Sequence, residues 1–312
     1  TENYESISRY MHWLSAQQEK VDTILYTHIG AGTATGDWLS YAPIESRYVS
    51  MAYYAYVAQL MDSICTTLGK EAEALHYRSL YDDIRSEFQQ RYMTADGNLK
   101  QTSQTAYLLA LRFDLLPEPY RQAARDSLRQ RIETNDYCLS TGFVGTGILC
   151  KTLTDEGMND LAYSLLLQRK NPSWLYSIDQ GATTVWERWD SYKLEEGFHK
   201  HDWNMNSFNH YAYGAVAEWM YAYMGGIRPG RPGFSHIVFD PHVDNRPENH
   251  PTLLYQPRIT WARAKTHTPH GDVSSEWRRM EDGHYKFTFT IPQGVTYEVR
   301  GIGPEHEVEC IR

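Results

Sequence analysis

Residues 49–88 read VSMAYYAYVAQLMDSICTTLGKEAEALHYRSLYDDIRSEF, two apolar stripes separated by one reversal. Val49, Ala52, Tyr53, Tyr56, Leu60 and Ile64 recur every three or four residues, the spacing that gathers side chains on one face of an α-helix. Ala74, Tyr77, Leu80, Ile84 and Phe88 repeat the pattern. Gly69-Lys70 between them permits a tight turn, so the stretch reads as a helical hairpin. Outward from it, the same reading predicts helices at about 103–114, 118–134, 143–153, 157–168 and 206–224. Asp96-Gly97-Asn98, Pro117 and Asp155-Glu156-Gly157 separate several of them. Many antiparallel helices joined by alternating short and long links suggest an α/α toroid, with function on the loops at one rim. An α-solenoid competes with this reading, but no fixed-period repeat supports it.

The pattern changes at Gly225-Gly226. Ile227-Arg228-Pro229-Gly230-Arg231-Pro232-Gly233 is rich in breakers and reads as a linker. His236-Ile237-Val238-Phe239 then precedes Pro241, and Tyr285 to Ile291 alternates with period two after the hairpin signal Asp282-Gly283. The expected organisation is a mainly α region over 1–226, a linker over 227–233 and a small antiparallel β-sandwich over 234–312.

Composition narrows the function classes. Of 312 residues 41% are apolar, enough for a packed core, and the formal net charge of −9 argues against binding a nucleic-acid backbone. No stretch approaches the roughly 18 apolar residues that a membrane-spanning helix requires. Cys65, Cys138, Cys150 and Cys310 are scattered without a CxxC pair and read as small buried hydrophobes rather than a zinc site or disulfide framework. No signal-peptide pattern is visible, yet the start at Thr1 leaves room for a leader removed upstream. The compartment therefore stays open between periplasmic or secreted and cytoplasmic. Aromatic residues reach 13%, with 24 Tyr and 9 Trp, a supply of rings suited to the apolar faces of sugars or to a large helical core.

Three clusters carry candidate chemistry. Gly181-Ala182-Thr183-Thr184-Val185-Trp186-Glu187-Arg188-Trp189-Asp190 sets an acid between two indoles. Desolvation there would raise the proton affinity of Glu187 and suit it to activating water, one of the two carboxyl tasks of glycosidic cleavage. The plain alternative is a Glu187 that pairs with Arg188 or caps a helix. Asn206 to Gly214 reads as the polar start of a helix, where Asn209 and His210 could donate to sugar hydroxyls or His210 could be a satisfied core histidine. Gly36-Asp37-Trp38 combines an acid with a ring in a Gly-led loop. No metal is expected: His199 and His201 lack HxxxH or HExxH spacing, and Glu187 with Asp190 or Asp202 lacks the usual acidic loop of a hard-cation site.

Taken together, these clusters resemble the motifs of glycoside hydrolase family 78 α-L-rhamnosidases, approximately GDW, GATTxWERW and NSxNHYAYGxVxEW, in that order. The resemblance continues through Gly225-Gly226-Ile227-Arg228-Pro229, Phe239-Asp240-Pro241 and into the β region at Gly271, Ser274, Trp277 and Ile291-Pro292. It implies an inverting hydrolase on an (α/α)6 barrel that removes terminal α-linked L-rhamnose from oligosaccharides, polysaccharides or glycosides without a cofactor. In that likeness Glu187 corresponds to the general base, His210 to a sugar-contacting histidine, Asp37 and Trp38 to a rim segment near the rhamnose, and Trp186 to a pocket wall. Ser140-Thr141-Gly142-Phe143 also resembles a family segment and reads equally well as a helix start. The family's general acid, in a DCPxRDE-like motif followed by GWxGD, has no counterpart in these residues. The expectation is thus a C-terminal portion, a partial barrel that is poorly active alone and partnered by the missing N-terminal segment of the same enzyme. The alternatives are another inverting (α/α)6 glycosidase or lyase, or a non-catalytic carbohydrate-binding homologue.

Overall fold

A computed structural model describes residues 2–20, 36–198 and 206–312. The chain divides into two compact units, Thr1–Asp136 with Ser140–Ile148, and Tyr137–Leu139 with Leu149–Arg312.

The first unit is built from helices α1 (Tyr4–Lys20), α2 (Ser46–Thr67), α3 (Glu71–Tyr92), α4 (Gln104–Arg112) and α5 (Glu118–Thr134), and the first turns of α6 (Phe143–Asp155). The hairpin predicted over 49–88 is α2–α3. Its reversal is set by Gly69, whose φ of +69° lets the Lys70 amide reach the Cys65 carbonyl at 2.9 Å and its own amide the Thr66 carbonyl at 3.1 Å. The buried face of α2 differs from the predicted stripe: Leu60 is 41% exposed, while Tyr48, Met51, Ala55, Ala58, Met61 and Cys65 are buried together with Val49 and Ala52. This helix is apolar around most of its circumference, so the packing partner decides which stripe is covered. Small residues at 52, 55 and 58 allow close approach, and Tyr48 meets Phe88 and Tyr92 edge-on at 4.8 and 4.7 Å. On α3 the predicted stripe holds at Ala74, Tyr77, Ile84 and Phe88, with Tyr81 buried where Leu80 was expected.

The second unit contains the rest of α6, α7 (Asn159–Leu166) and α8 (Trp174–Asp179), a short hairpin of β1 (Tyr192–Lys193) and β2 (Gly197–Phe198), α9 (Val216–Trp219) and the β region. The sequence did not announce α8 or β1–β2. The helix predicted over 206–224 begins only at Ala212, with a 3-10 turn over Ala212–Ala215, then α9, then a π turn over Met220–Met224. The His210 amide, which would close the first turn of a helix starting at 206, donates instead to the Val185 carbonyl at 2.8 Å.

Two sheets follow. One orders β3 (Ile227–Pro229), β4 (His236–Phe239) and β8 (Thr296–Val299); the other orders β5 (Trp261–Thr268), β6 (Gly271–Arg279), β7 (Tyr285–Thr290) and β9 (Glu307–Ile311). The antiparallel reading holds for β3–β4 and β5–β6–β7, and each sheet adds one parallel pair, β4–β8 and β7–β9. The breaker-rich stretch read as a linker supplies β3, because its first three residues pair with β4 in register Ile227 to Phe239. The period-two alternation of β7 buries Tyr285, Phe287 and Phe289. These join Ile237 and Phe239 of the other sheet in one core, with Phe239 stacked on Phe289 at 4.4 Å. Cys65, Cys138 and Cys150 are buried as expected, but Cys310 is exposed because the side chains of edge strand β9 remain open to solvent.

A buried ion pair braces the approach to β5. Arg246 is 1% exposed and donates through Nε and Nη2 to the Asp244 carboxylate at 2.9 and 2.7 Å, and through Nη1 to Thr252 and Gln256. Removing one partner leaves a buried charge without its offset. Arg246→Ala is expected to lower the free energy of unfolding by about 3–5 kcal/mol in denaturant titration; a loss below about 1 kcal/mol would show that the pair is not bracing the fold.

Candidate functional site

Glu187 lies in the loop after α8. The Ser173 hydroxyl caps that helix by accepting from the Tyr176 amide at 3.1 Å, and Gly181 at φ +92° turns the chain out of it. The loop is then fixed by its rings. Trp189 stacks on Tyr213 at 3.7 Å and meets Trp174 edge-on at 5.6 Å, while the Trp174 indole N–H donates to the Tyr213 carbonyl at 2.9 Å. Trp186 packs edge-on against Phe208 at 5.3 Å, and Phe208 against Phe198 of β2 at 5.6 Å. Trp186, Glu187 and Trp189 are all buried, Glu187 at 6% exposure.

The structure brings the loop over 184–187 against the segment 207–210. The Glu187 amide donates to the Ser207 carbonyl at 2.9 Å, the Ser207 amide to the Glu187 carboxylate at 2.7 Å, and the His210 amide to the Val185 carbonyl at 2.8 Å. The Thr184 hydroxyl donates to the Phe208 carbonyl. Glu187, Trp186, Asn209 and His210 thus share one pair of cross-linked loops. Neither plain alternative for Glu187 fits: the Arg188 guanidinium lies 3.8 Å from Asp190, and Glu187 stands outside any helix start. Asn209 is exposed, and His210 is half-buried, its Nδ1 accepting from the Ala212 amide at 3.3 Å and its ring parallel to Tyr211. Beside this loop is a cavity of about 340 Å³ with Trp174, Ile178, Val185, Trp186, Trp189 and Tyr213 in its walls. Glu187 is not in that wall; its carboxylate turns to Ser207.

Asp37 and Trp38 belong to the first unit. Asp37 is 3% exposed, and its carboxylate accepts from the amides of Gly142 and Val144 at 2.8 Å, the amide of Gly145 at 3.3 Å and the Thr105 hydroxyl. It therefore caps α6 from a distant part of the sequence, so Ser140 to Phe143 is a helix start whose cap comes from elsewhere. Burial pushes the Asp37 carboxyl above its ordinary range, against the pull of the donors from Thr105, Gly142, Gly145 and Val144. Trp38 is half-buried and its carbonyl accepts from the Phe143 amide at 3.0 Å. The approach is so close that a Cβ on Gly142 would stand 2.0 Å from the Trp38 carbonyl oxygen, which only glycine avoids.

Among the described residues no group of three or more His, Cys, Asp or Glu is placed to hold a metal ion, and no helix is long and apolar enough to cross a membrane. Asp202, His199 and His201 lie outside the described residues. Sequence reasoning missed Ser207, Thr184 and Tyr213. All three stand inside the quoted motifs, but spacing alone does not reveal which amide, hydroxyl or ring crosses to the other loop.

Paired helices are followed by a two-sheet β region, and a buried acid stands between two buried tryptophans in the sequence. The family model for the bacterial alpha-L-rhamnosidase 6 hairpin glycosidase domain matches residues 1–224, and that for the bacterial alpha-L-rhamnosidase C-terminal domain matches residues 226–308. The chain belongs to the bacterial α-L-rhamnosidase family. It is 42% identical over 288 residues to an alpha-L-rhamnosidase of Streptomyces avermitilis, covering 92% of this chain and 26% of that protein. With one from Formosa agariphila it shares 34% over 308 residues, 96% of this chain and 31% of the relative. Among solved structures, the Streptomyces avermitilis alpha-L-rhamnosidase complexed with L-rhamnose is similar with a TM-score of 0.79 and 39% identity, over 96% of this chain and 28% of that one. The native enzyme from Aspergillus terreus is similar with a TM-score of 0.77 and 33% identity, over 86% and 30%. The chain thus spans between a quarter and a third of the length of these relatives.

The Asp37 clamp makes a direct prediction. Asp37→Ala leaves three amides and a hydroxyl without their acceptor and should cost roughly 2–4 kcal/mol in chemical denaturation. A variant as stable as the parent would show that water replaces the carboxylate without penalty.

Proposed function

We propose that this chain is the base-bearing part of an α-L-rhamnosidase, an inverting hydrolase of terminal α-linked L-rhamnose in oligosaccharides, polysaccharides or glycosides. The observation that carries the reading is a buried Glu187 in the WERW segment, adjacent in sequence to buried tryptophans and held by the Ser207 amide through one carboxylate oxygen. In the proposed reaction Glu187 accepts a proton from water as that water attacks the anomeric carbon, on the face opposite the departing oxygen. A second carboxyl group must protonate the leaving oxygen, and roughly 6.5–9.5 Å between the two would leave room for the water. We assign that acid to sequence outside these 312 residues, in keeping with the share of the relatives' length that the chain spans. His210 and Asn209 are assigned to the sugar hydroxyls; Trp38, in the first unit, is assigned by the family resemblance alone. Asp37, its carboxylate already accepting four protein hydrogen bonds, serves by holding Trp38 in place.

The test is hydrolysis of an aryl α-L-rhamnoside by the chain supplied with the N-terminal segment, with aryl glucoside, galactoside and glucuronide as controls. Glu187→Gln should lower the rate by roughly 10²–10⁴-fold without unfolding the protein, and the first product seen by NMR should have the inverted anomeric configuration. Titration of L-rhamnose, with L-mannose for comparison, should show binding weakened by His210→Ala. Undiminished turnover by Glu187→Gln would remove Glu187 from the base role.

A further inference from the structure

The loops that carry Glu187 and His210 are about 20 residues apart in sequence, and neither residue lies in a helix or strand. Among the described residues, three bonds that join 184–187 to 207–210 have backbone donors, Glu187 to Ser207, Ser207 to the Glu187 carboxylate and His210 to Val185, and further along the Asn206 side-chain amide nitrogen donates to the Ser191 carbonyl at 3.1 Å. Two of the three are at the Glu187 end. At the His210 end the Val185 carbonyl is supplemented by one side chain, the Thr184 hydroxyl, which donates to the Phe208 carbonyl. Phe208 is also the ring against which Trp186 packs. The same residue therefore receives the Thr184 bond through its backbone and supports the neighbour of Glu187 through its side chain.

We propose that Thr184 is a positioning residue: its hydroxyl clasps residues 207–210 to the 184–187 loop and so sets Glu187 and His210 relative to one another. The functional part of this inference rests on the glycosidase reading above; the clasp itself rests on the hydrogen-bond geometry. Thr184 is exposed, so replacing it should scarcely change global stability, whereas a local opening of the loop pair would be felt at both side chains.

The experiment compares the full chain with Thr184→Val, which keeps the shape and removes the donor, and Thr184→Ser, which keeps the donor. Hydrogen exchange at the His210 and Ser207 amides is read beside the affinity for L-rhamnose and the melting temperature. In Thr184→Val both amides should exchange roughly fivefold faster or more, the loss of one hydrogen bond being felt locally. Rhamnose binding should weaken in parallel, the melting temperature should hold, and Thr184→Ser should match the parent in every measurement. Unchanged exchange in Thr184→Val, or equal losses in Val and Ser variants, would overturn the clasp. Faster exchange confined to the Val variant, in a chain with no affinity for rhamnose, would uphold the clasp and count against the sugar site on which its function rests.

Discussion

Keeping the Glu187 carboxylate inside the protein, in a loop whose neighbouring residues are two buried tryptophans, is the constraint around which much of this part of the second unit is arranged. An ionised group taken out of water is costly unless hydrogen bonds offset the lost hydration. For Glu187 the described offset is the Ser207 amide, which donates to its carboxylate at 2.7 Å. The delayed helix start has its own supports. Trp189 lies on Tyr213, and Trp174 donates to the Tyr213 carbonyl, so the first turn of the helix is fixed to α8 rather than drawn back toward Asn206. Phe198 of the short β1–β2 hairpin supports Phe208 from another side. The aromatic abundance of the sequence thus has a local use: rigid rings hold a polar loop where regular backbone hydrogen bonding does not.

What could be read in advance divides along physical lines. Helices whose apolar residues are confined to a stripe, such as α3, were legible, because only one face could be covered. In α2, with apolar residues around most of the circumference, periodicity located the helix but not the buried side, and Leu60 proved exposed. Residues 206–211 read as the polar start of a helix, and Ile227 to Pro229 have the breakers of a linker. Both were overridden by partners far away in sequence, Val185 and Glu187 in one case and β4 in the other. The candidate site was legible as a set of residue types, an acid between rings and a histidine in a polar turn. Its cross-links were not, since a hydroxyl-to-carbonyl bond between residues 184 and 208 leaves no trace in spacing.

Asp37 shows the same limit at a single residue. An acid beside a tryptophan in a Gly-led loop reads naturally as a grip for sugar hydroxyls. In the fold its carboxylate faces the amides at the start of α6 that have no acceptor within the helix, where the helix dipole and three N–H groups favour a negative charge. Those amides lie more than 100 residues away, and nothing in the tripeptide foretells them. Gly142 is the complementary signal, because it admits the Trp38 carbonyl where any side chain would collide.

The two buried acids can be compared on chemical grounds. Asp37 accepts four hydrogen bonds, three at one oxygen and one at the other, so both oxygens are already committed to protein donors. Among the described residues the Glu187 carboxylate accepts one, from Ser207, through a single oxygen. A group that must take a proton from water needs an oxygen not already committed to a protein donor. Full satisfaction therefore argues for a structural clamp in the first case. In the second, burial with capacity to spare supports the proposed role of Glu187 more directly than the presence of an acidic residue would alone.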